Sequence, residues 1–522
     1  MLQPAKVLLI ALDAAEPSLL RRWAAEGRLP NIARLIGDDS SSDLISPAEE
    51  FPDEVWPSIF TSSSAAQLGK YYYIQPQRGG YELEMIDDKP RGRQFWAIAS
   101  DAGRRVLVVD VPKTGLGPRV NGSQLVAWGA HATRCAKESW PPELYDDVLR
   151  RHGPHPLFSC DALGRTPADY RRLTRLLIEG VAARGRVIRD LMSRQDWDLC
   201  FCAFSETHSA GHRLWHLQDQ SDPGYDPDDR HGLRDSLQRT FEAIDREIGL
   251  LLGAAGEDAV AVVFSGHGMG PQYHGRDLLP ALLEMWGLNG DANVEPHPES
   301  EIRVSVRKDV VQRLKEAVPI QWQYAVKSML PEKLERAAIC RVMGSKSLNP
   351  SARLNSVPNN ELAPAFRVNL KGRDKQGRID PGAEQESILT FLEQRLRELV
   401  DPETGLPSIS NVTRTAEVYQ GELLDVLPDM TAFWSPRAPI QAVHSPGYGT
   451  VHGSHSDLRT GGHAPKGFLA VRAPRQALDL SSLPASGKDI APTVLDLLGV
   501  AVPPEMEGRS WLVGSPAVAA AD

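Results

Sequence analysis

The chain has 522 residues, 41% of them hydrophobic and 24% charged, ordinary globular proportions in a chain too long for one small core. Its net charge of -10 argues against a general nucleic-acid or anionic-membrane surface, while leaving room for a local basic pocket. No uninterrupted apolar run approaches the roughly 18 residues needed to span a bilayer, so neither a membrane nor a nucleic acid is expected as a partner.

The first apolar run, Val7–Leu12, lacks a cleavage-like A-x-A ending and passes straight into a charged helical pattern. It predicts a buried strand, not a leader. Helices follow through Leu19–Arg22 and near Asn31–Leu35, and strands at Val106–Val111 and Leu125–Trp128. Leu173–Met192 predicts a helix and Trp197–Phe204 a strand ending in polar residues. Leu237, Phe241, Ile244, Ile248 and Leu251 recur at helical spacing, giving an amphipathic helix over Leu237–Leu252. Val260–Phe264 is a further strand, ending in a Gly- and His-rich turn. This alternation predicts an α/β core, a mostly parallel sheet flanked by helices, with ligands expected at the carboxyl ends of the strands. From about 301 to 439 the pattern changes: a helical region at Val310–Arg336, a loop rich in Asn, Ser and Pro, and a charged helix at Glu384–Leu399. That stretch reads as an inserted cap, and 1–300 with 440–514 as the core. The alternation returns with a strand at Lys466–Val471 and a helix at Asp489–Leu498, before an Ala-rich tail over 515–522. The cysteines are Cys135, Cys160, Cys200, Cys202 and Cys340. Few, odd in number and partly set in an apolar strand, they read as reduced thiols, which implies a cytoplasmic location.

Four strand ends carry residues able to ligate a metal: Asp13, the pair His208 and His212, His267, and His455 in the late segment VHGSHSDLRTGGH. Histidines four apart share a helix face, and neutral imidazoles so placed can grip zinc or a similar ion. Taken alone, that spacing is more often a surface pair, and an Asp after a first strand more often caps the next helix. Four strand ends bearing ligand-type residues together are a rarer accident. His131, His216, His274, His452 and His463 are secondary candidates. Glu206, two residues before His208, could orient a ligand histidine. The acids Glu49, Glu50, Asp53 and Glu54 read equally well as a solvated helix start and as catalytic groups.

With these residues in view, the chain resembles the alkaline phosphatase superfamily, in particular its type I phosphodiesterase/nucleotide pyrophosphatase branch. KVLLIALDAAEPSLLRRWAAEGRLPNIARL resembles the branch's opening strand, metal Asp and helices. VWPSIFTS is similar to the segment after its nucleophile, FSETHSAGHRLWH to its Asp-x-x-x-His motif and FSGHGMG to its Asp-His-Gly-Met. FRVNLKGRDKQGRIDPG, DPETGLP and VYQGE look like cap motifs of the branch. GSH followed by KGFLAVRAP, then DIAPTVLDLLGV and MEGRSW, resemble its closing segments.

The resemblance implies an alkaline-phosphatase-like fold in which two divalent ions clamp a phosphoryl group and a Thr or Ser attacks phosphorus. Three positions depart from that design. His208 stands where an Asp is expected, Gly266 replaces the Asp before His267, and the nucleophile position falls on Pro52 or Glu50, neither a hydroxyl. One site then keeps His208, His212 and His455, an open three-histidine arrangement suited to zinc, with manganese or iron as alternatives. The other keeps Asp13 and His267 and needs Glu50, Asp53 or Glu54 to complete it. The expectation is a metal-dependent hydrolase of a phosphodiester or related small anionic substrate. Metal-activated water attacks, Glu50 or Glu54 is the general base, and Arg367, Asn369 and Arg373 bind the anion. Nucleophilic attack by Ser58 or Thr61 is the second route. A metalloenzyme acting on a non-phosphate bond, or a non-catalytic metal-binding homologue, is the alternative.

Overall fold

A computed structural model of the chain describes residues 4–37, 41–48, 50–86, 91–129, 137–157, 166–290, 300–304, 348–453, 459–480 and 485–514. The expected helix at Val310–Arg336 and the tail over 515–522 lie outside them. Two compact units form, one from residues 1–64, 87–271 and 459–522, the other from 65–86 and 272–458. The second spans more than the 301–439 expected for a cap, because flanking segments pair within it. Strand Glu301–Arg303 pairs with Gly449–His452, and the Leu348 amide donates to the Tyr81 carbonyl.

The first unit is built on a nine-stranded sheet. Its order is Ala485–Ser486, Ser41–Ile45, Lys466–Arg472, Val260–Ser265, Val7–Leu12, Leu199–Phe204, Val106–Val109, Gly122–Val126 and Glu138–Trp140. Val7–Leu12 lies parallel to both of its neighbours. Lys466–Arg472 runs antiparallel to Val260–Ser265, and Glu138–Trp140 antiparallel to Gly122–Val126. The sheet is therefore mostly parallel and flanked by helices, as the alternation predicts.

Why the first strand is apolar at every position follows from its pleat. Leu8, Ile10 and Leu12 enter one core with helices Pro17–Ala25, Pro30–Ile36, Pro167–Arg194 and Ser236–Ala255. Val7, Leu9 and Ala11 enter another with Val55–Thr61, Phe95–Asp101 and Ile490–Leu497. A strand covered on both faces cannot alternate apolar with polar. The helix starts are equally local. Pro17, Pro30 and Pro167 occupy first-turn positions where a missing N–H costs nothing. Thr166 and Asp169 form a reciprocal cap, and Asp245 accepts from the Asn31 and Ile32 amides.

In the second unit an antiparallel sheet runs in the order Leu354–Val357, Ala365–Val368, Met430–Trp434, Ile409–Arg414. Helix Ala383–Arg397 shares a core with it through Ile388, Leu389, Leu392 and Leu396. Among the described residues, no helix is long and apolar enough to cross a membrane.

Candidate metal centre

At the carboxyl end of strand Leu199–Phe204 the chain turns directly into helix Glu206–Leu214. Thr207 stitches this corner, its hydroxyl donating to the carbonyls of Phe204 and Asp13. His208 and His212 therefore project from one helix face, ring centroids 4.4 Å apart. A third imidazole comes from a short antiparallel pair of strands, Gly268–Pro271 with Gly461–Ala464, in which Met269 opposes His463. The His463 ring lies 4.9 Å from His208 and 5.0 Å from His212. One donor atom from each of the three lies within 4.8 Å of the others.

Fixed acceptors set the tautomers. Asp13 Oδ2 sits 3.0 Å from His208 Nδ1, and a carboxylate only accepts, so that nitrogen carries the proton and Nε2 presents its lone pair. His212 Nδ1 likewise donates to the Gly461 carbonyl at 2.6 Å, and His267 Nδ1 to that of Gly268 at 3.2 Å. His208 Nε2 and His463 Nε2 stand 3.3 Å apart. A tetrahedral ion with nitrogen ligands at ~2.0–2.1 Å holds two of them roughly 3.3 Å from each other. The donor set thus fits a zinc-class ion in chemistry, and the His208–His463 pair fits it in spacing.

Asp13, expected as a ligand, hydrogen-bonds within the cluster. One oxygen holds His208 and the other accepts from Trp56 Nε1 at 3.0 Å, so the carboxylate orients the His208 ring from behind. His267 is brought alongside, its ring 4.4 Å from His463 and its Nε2 3.9 Å from Asp13 Oδ1. Burial pushes its imidazole below the usual range, against the opposing pull of Asp13. His455 lies outside the described residues, as do His131 and Glu49. The third member among the described residues is His463, a secondary candidate in the sequence. The signal that could have raised it is its place three residues before the strand Lys466–Arg472.

Glu206 does not orient a ligand histidine. It is fully buried, accepting from Arg184 Nε at 2.9 and 3.1 Å and from His155 Nε2 at 2.7 Å. Burial alone would raise its pKa, but the Arg184 charge and the His155 contact overcome this and hold it at about 2. His216 stands aside from the cluster, against Tyr170 and the Thr460 hydroxyl. His452 pairs with Glu301 in the second unit, to which His274 also belongs.

Glu50 and Glu54 are both buried, Glu54 completely, and neither belongs to the three-imidazole group. The Thr61 hydroxyl donates to the Pro57 carbonyl within its own helix, and Ser58 on the same helix is fully buried. In the second unit, Arg367 donates to Asp374 and to the Asp425 and Leu427 carbonyls. The Asn369 amide donates to the Pro350 and Ala352 carbonyls, and Arg373 forks onto Asp429. These contacts brace that unit.

A family profile described as type I phosphodiesterase / nucleotide pyrophosphatase matches residues 7–339. No curated protein sequence matches the chain. Among solved structures, phosphonoacetate hydrolase from Sinorhizobium meliloti 1021 in complex with phosphonoformate is similar at 16% identity, over 95% of this chain and 96% of that one, with a TM-score of 0.48. Murine ectonucleotide pyrophosphatase / phosphodiesterase 5 in complex with AMP is similar at 10% identity, over 96% of each chain, with a TM-score of 0.43. Its human counterpart is similar at 10% identity, over 97% of this chain and all of that one, with a TM-score of 0.43.

Proposed function

The chain belongs to the type I phosphodiesterase / nucleotide pyrophosphatase family, and from that premise we propose a metal-dependent hydrolase of phosphodiesters or related small anions, its ion gripped by His208, His212 and His463. The observation that carries this reading is the convergence of the three imidazoles, with donor atoms within 4.8 Å of one another and the His208–His463 pair at 3.3 Å. A bound ion would supply Lewis acidity, lowering the pKa of water and drawing charge from an oxyanion.

The chain's own residues do the remainder. Asp13 fixes the His208 tautomer and Gly461 that of His212, so both aim a lone pair without reorganising. Glu50 and Glu54 are our candidates for the general base, from the segment whose Trp56 reaches Asp13. Direct attack by water is favoured over a covalent intermediate, because the nucleophile position falls on Pro52 or Glu50 and the Thr61 hydroxyl is spent on its own helix. A cytoplasmic location, supported by the free buried thiols of Cys200 and Cys202, belongs to the same proposal.

A second reading, a metal-assisted reaction at a non-phosphate bond, is favoured by one observation: Gly266 stands where the family's design has a carboxylate. Metal content and turnover of a nitrophenyl phosphodiester by the purified protein separate the two. The expected result is bound zinc, manganese or iron with turnover, both lost in His208→Ala. Bound metal without turnover of any phosphodiester or phosphonate would favour the second reading, and a metal-free protein would sink both.

A further inference from the structure

Asp13 faces two histidines and holds one of them closely. Its Oδ2 lies 3.0 Å from His208 Nδ1, whereas its Oδ1 lies 3.9 Å from His267 Nε2, beyond hydrogen-bond range. An indole takes that second oxygen: Trp56 Nε1 donates to Oδ1 at 3.0 Å. The motif likeness grouped Asp13 with His267, so the choice of His208 needs a physical cause.

The cause lies in how firmly the donor and the carboxylate are mounted. Trp56 is buried in the first turn of helix Val55–Thr61, where Val55, Ile59 and Phe60 share a core with Leu9 and Ala11 of the first strand. Close packing on that face fixes the indole. The backbone of Asp13 is fixed as well. Its amide donates to the Phe204 carbonyl at 3.0 Å, its carbonyl accepts from the Thr207 hydroxyl, and Ala14 beyond it takes a left-handed φ of 57°. With the backbone clamped, the side-chain torsions alone decide where the two oxygens point. We infer that Trp56 is a positioning residue: its indole N–H commits Asp13 to His208 and away from His267. It thereby secures the tautomer in which His208 presents the Nε2 lone pair.

This deepens the metal-dependent reading above, and two measurements keep the two apart. The first uses zinc-free, nitrogen-15 labelled protein, in which NMR follows the His208 Nδ1 proton, assigned by its loss in His208→Gln. Trp56→Phe should speed the exchange of that proton with water about tenfold, because the carboxylate is no longer held. Asp13→Ala should reciprocally move the Trp56 indole proton upfield, a readout that does not depend on Trp56→Phe folding. The second measurement is zinc affinity, by competition with a chelator. It should fall about tenfold in Trp56→Phe. In the Asp13→Ala background the same substitution should change it less than about twofold, since both act through one carboxylate. An equal loss in that background would mean that Trp56 only fills space, and would overturn the inference. So would an indole proton unmoved by Asp13→Ala, or a His208 proton indifferent to Trp56→Phe. A protein that shows both proton effects but binds no zinc would overturn the metal-dependent reading and leave Trp56 directing Asp13.

Discussion

At the level of single residues, the centre depends on which nitrogen of each imidazole is offered, and that is decided by acceptors far away in the chain. His208 is set by Asp13, 195 residues earlier, and His212 by Gly461, 249 residues later. Replacing Asp13 by Asn removes the charge behind His208 while keeping an acceptor. Zinc affinity should fall about 10- to 100-fold, measured by competition with a chromophoric chelator. His463→Ala should abolish stoichiometric zinc binding, whereas His216→Ala should leave it intact; the reverse order would refute the cluster. Gly461 is a subtler probe, because a Cβ there would meet the Gly211 carbonyl oxygen at 2.2 Å and Trp215 Cβ at 3.0 Å. Gly461→Ala must push the strand that carries His463 off the helix that carries His208 and His212. Metal affinity should drop although no ligand is lost.

One scale up, the elements at the sheet's carboxyl edge are fastened by a buried ionic cluster that the chemistry does not use. Arg184, from the long helix Pro167–Arg194, pairs with Glu206 at the start of the ligand helix and with Asp110 beyond strand Val106–Val109. It also donates to the Gly129 carbonyl, while Asp110 accepts from the Trp128 and Gly129 amides. His155 closes the group on Glu206. Five segments are thereby locked together next to His208. Arg184→Met strands two buried carboxylates, and the cost should be about 3–5 kcal/mol by urea denaturation. Adding Asp110→Asn and Glu206→Gln to the same chain should recover much of that loss, since an uncharged cluster has no unpaired ion to bury. If the single variant costs under about 1 kcal/mol, the cluster is not the brace described here.

For the molecule as a whole, binding of an ion to the native state alone must raise stability. At a free concentration a hundredfold above Kd the gain is about 2.7 kcal/mol. Tm should therefore rise with added zinc and fall again with a chelator, while His212→Ala should show neither shift. The division into two units was only partly legible beforehand. The change of pattern near 301 was visible, yet the described residues of 65–86, 272–290 and 440–453 group with the second unit through contacts that no local periodicity announces. The same is true of direction in the sheet. An apolar run such as Lys466–Arg472 reads as a buried strand either way round, and only its partners make it antiparallel.

The sequence by itself determined the fold class, most of the principal strands and helices of the first unit, and the spacing that puts His208 and His212 on one helix face. Those features follow from periodicity and capping, which act over a few residues. It also carried the family likeness, which lies in the order of its motifs. Tertiary structure alone decided that His463 joins His208 and His212, that Asp13 hydrogen-bonds His208, and that Glu206 serves Arg184 and His155. Each of these is a contact between segments dozens to hundreds of residues apart. Such contacts are fixed by how covered sheet faces and strand ends pack, and no local pattern encodes that choice.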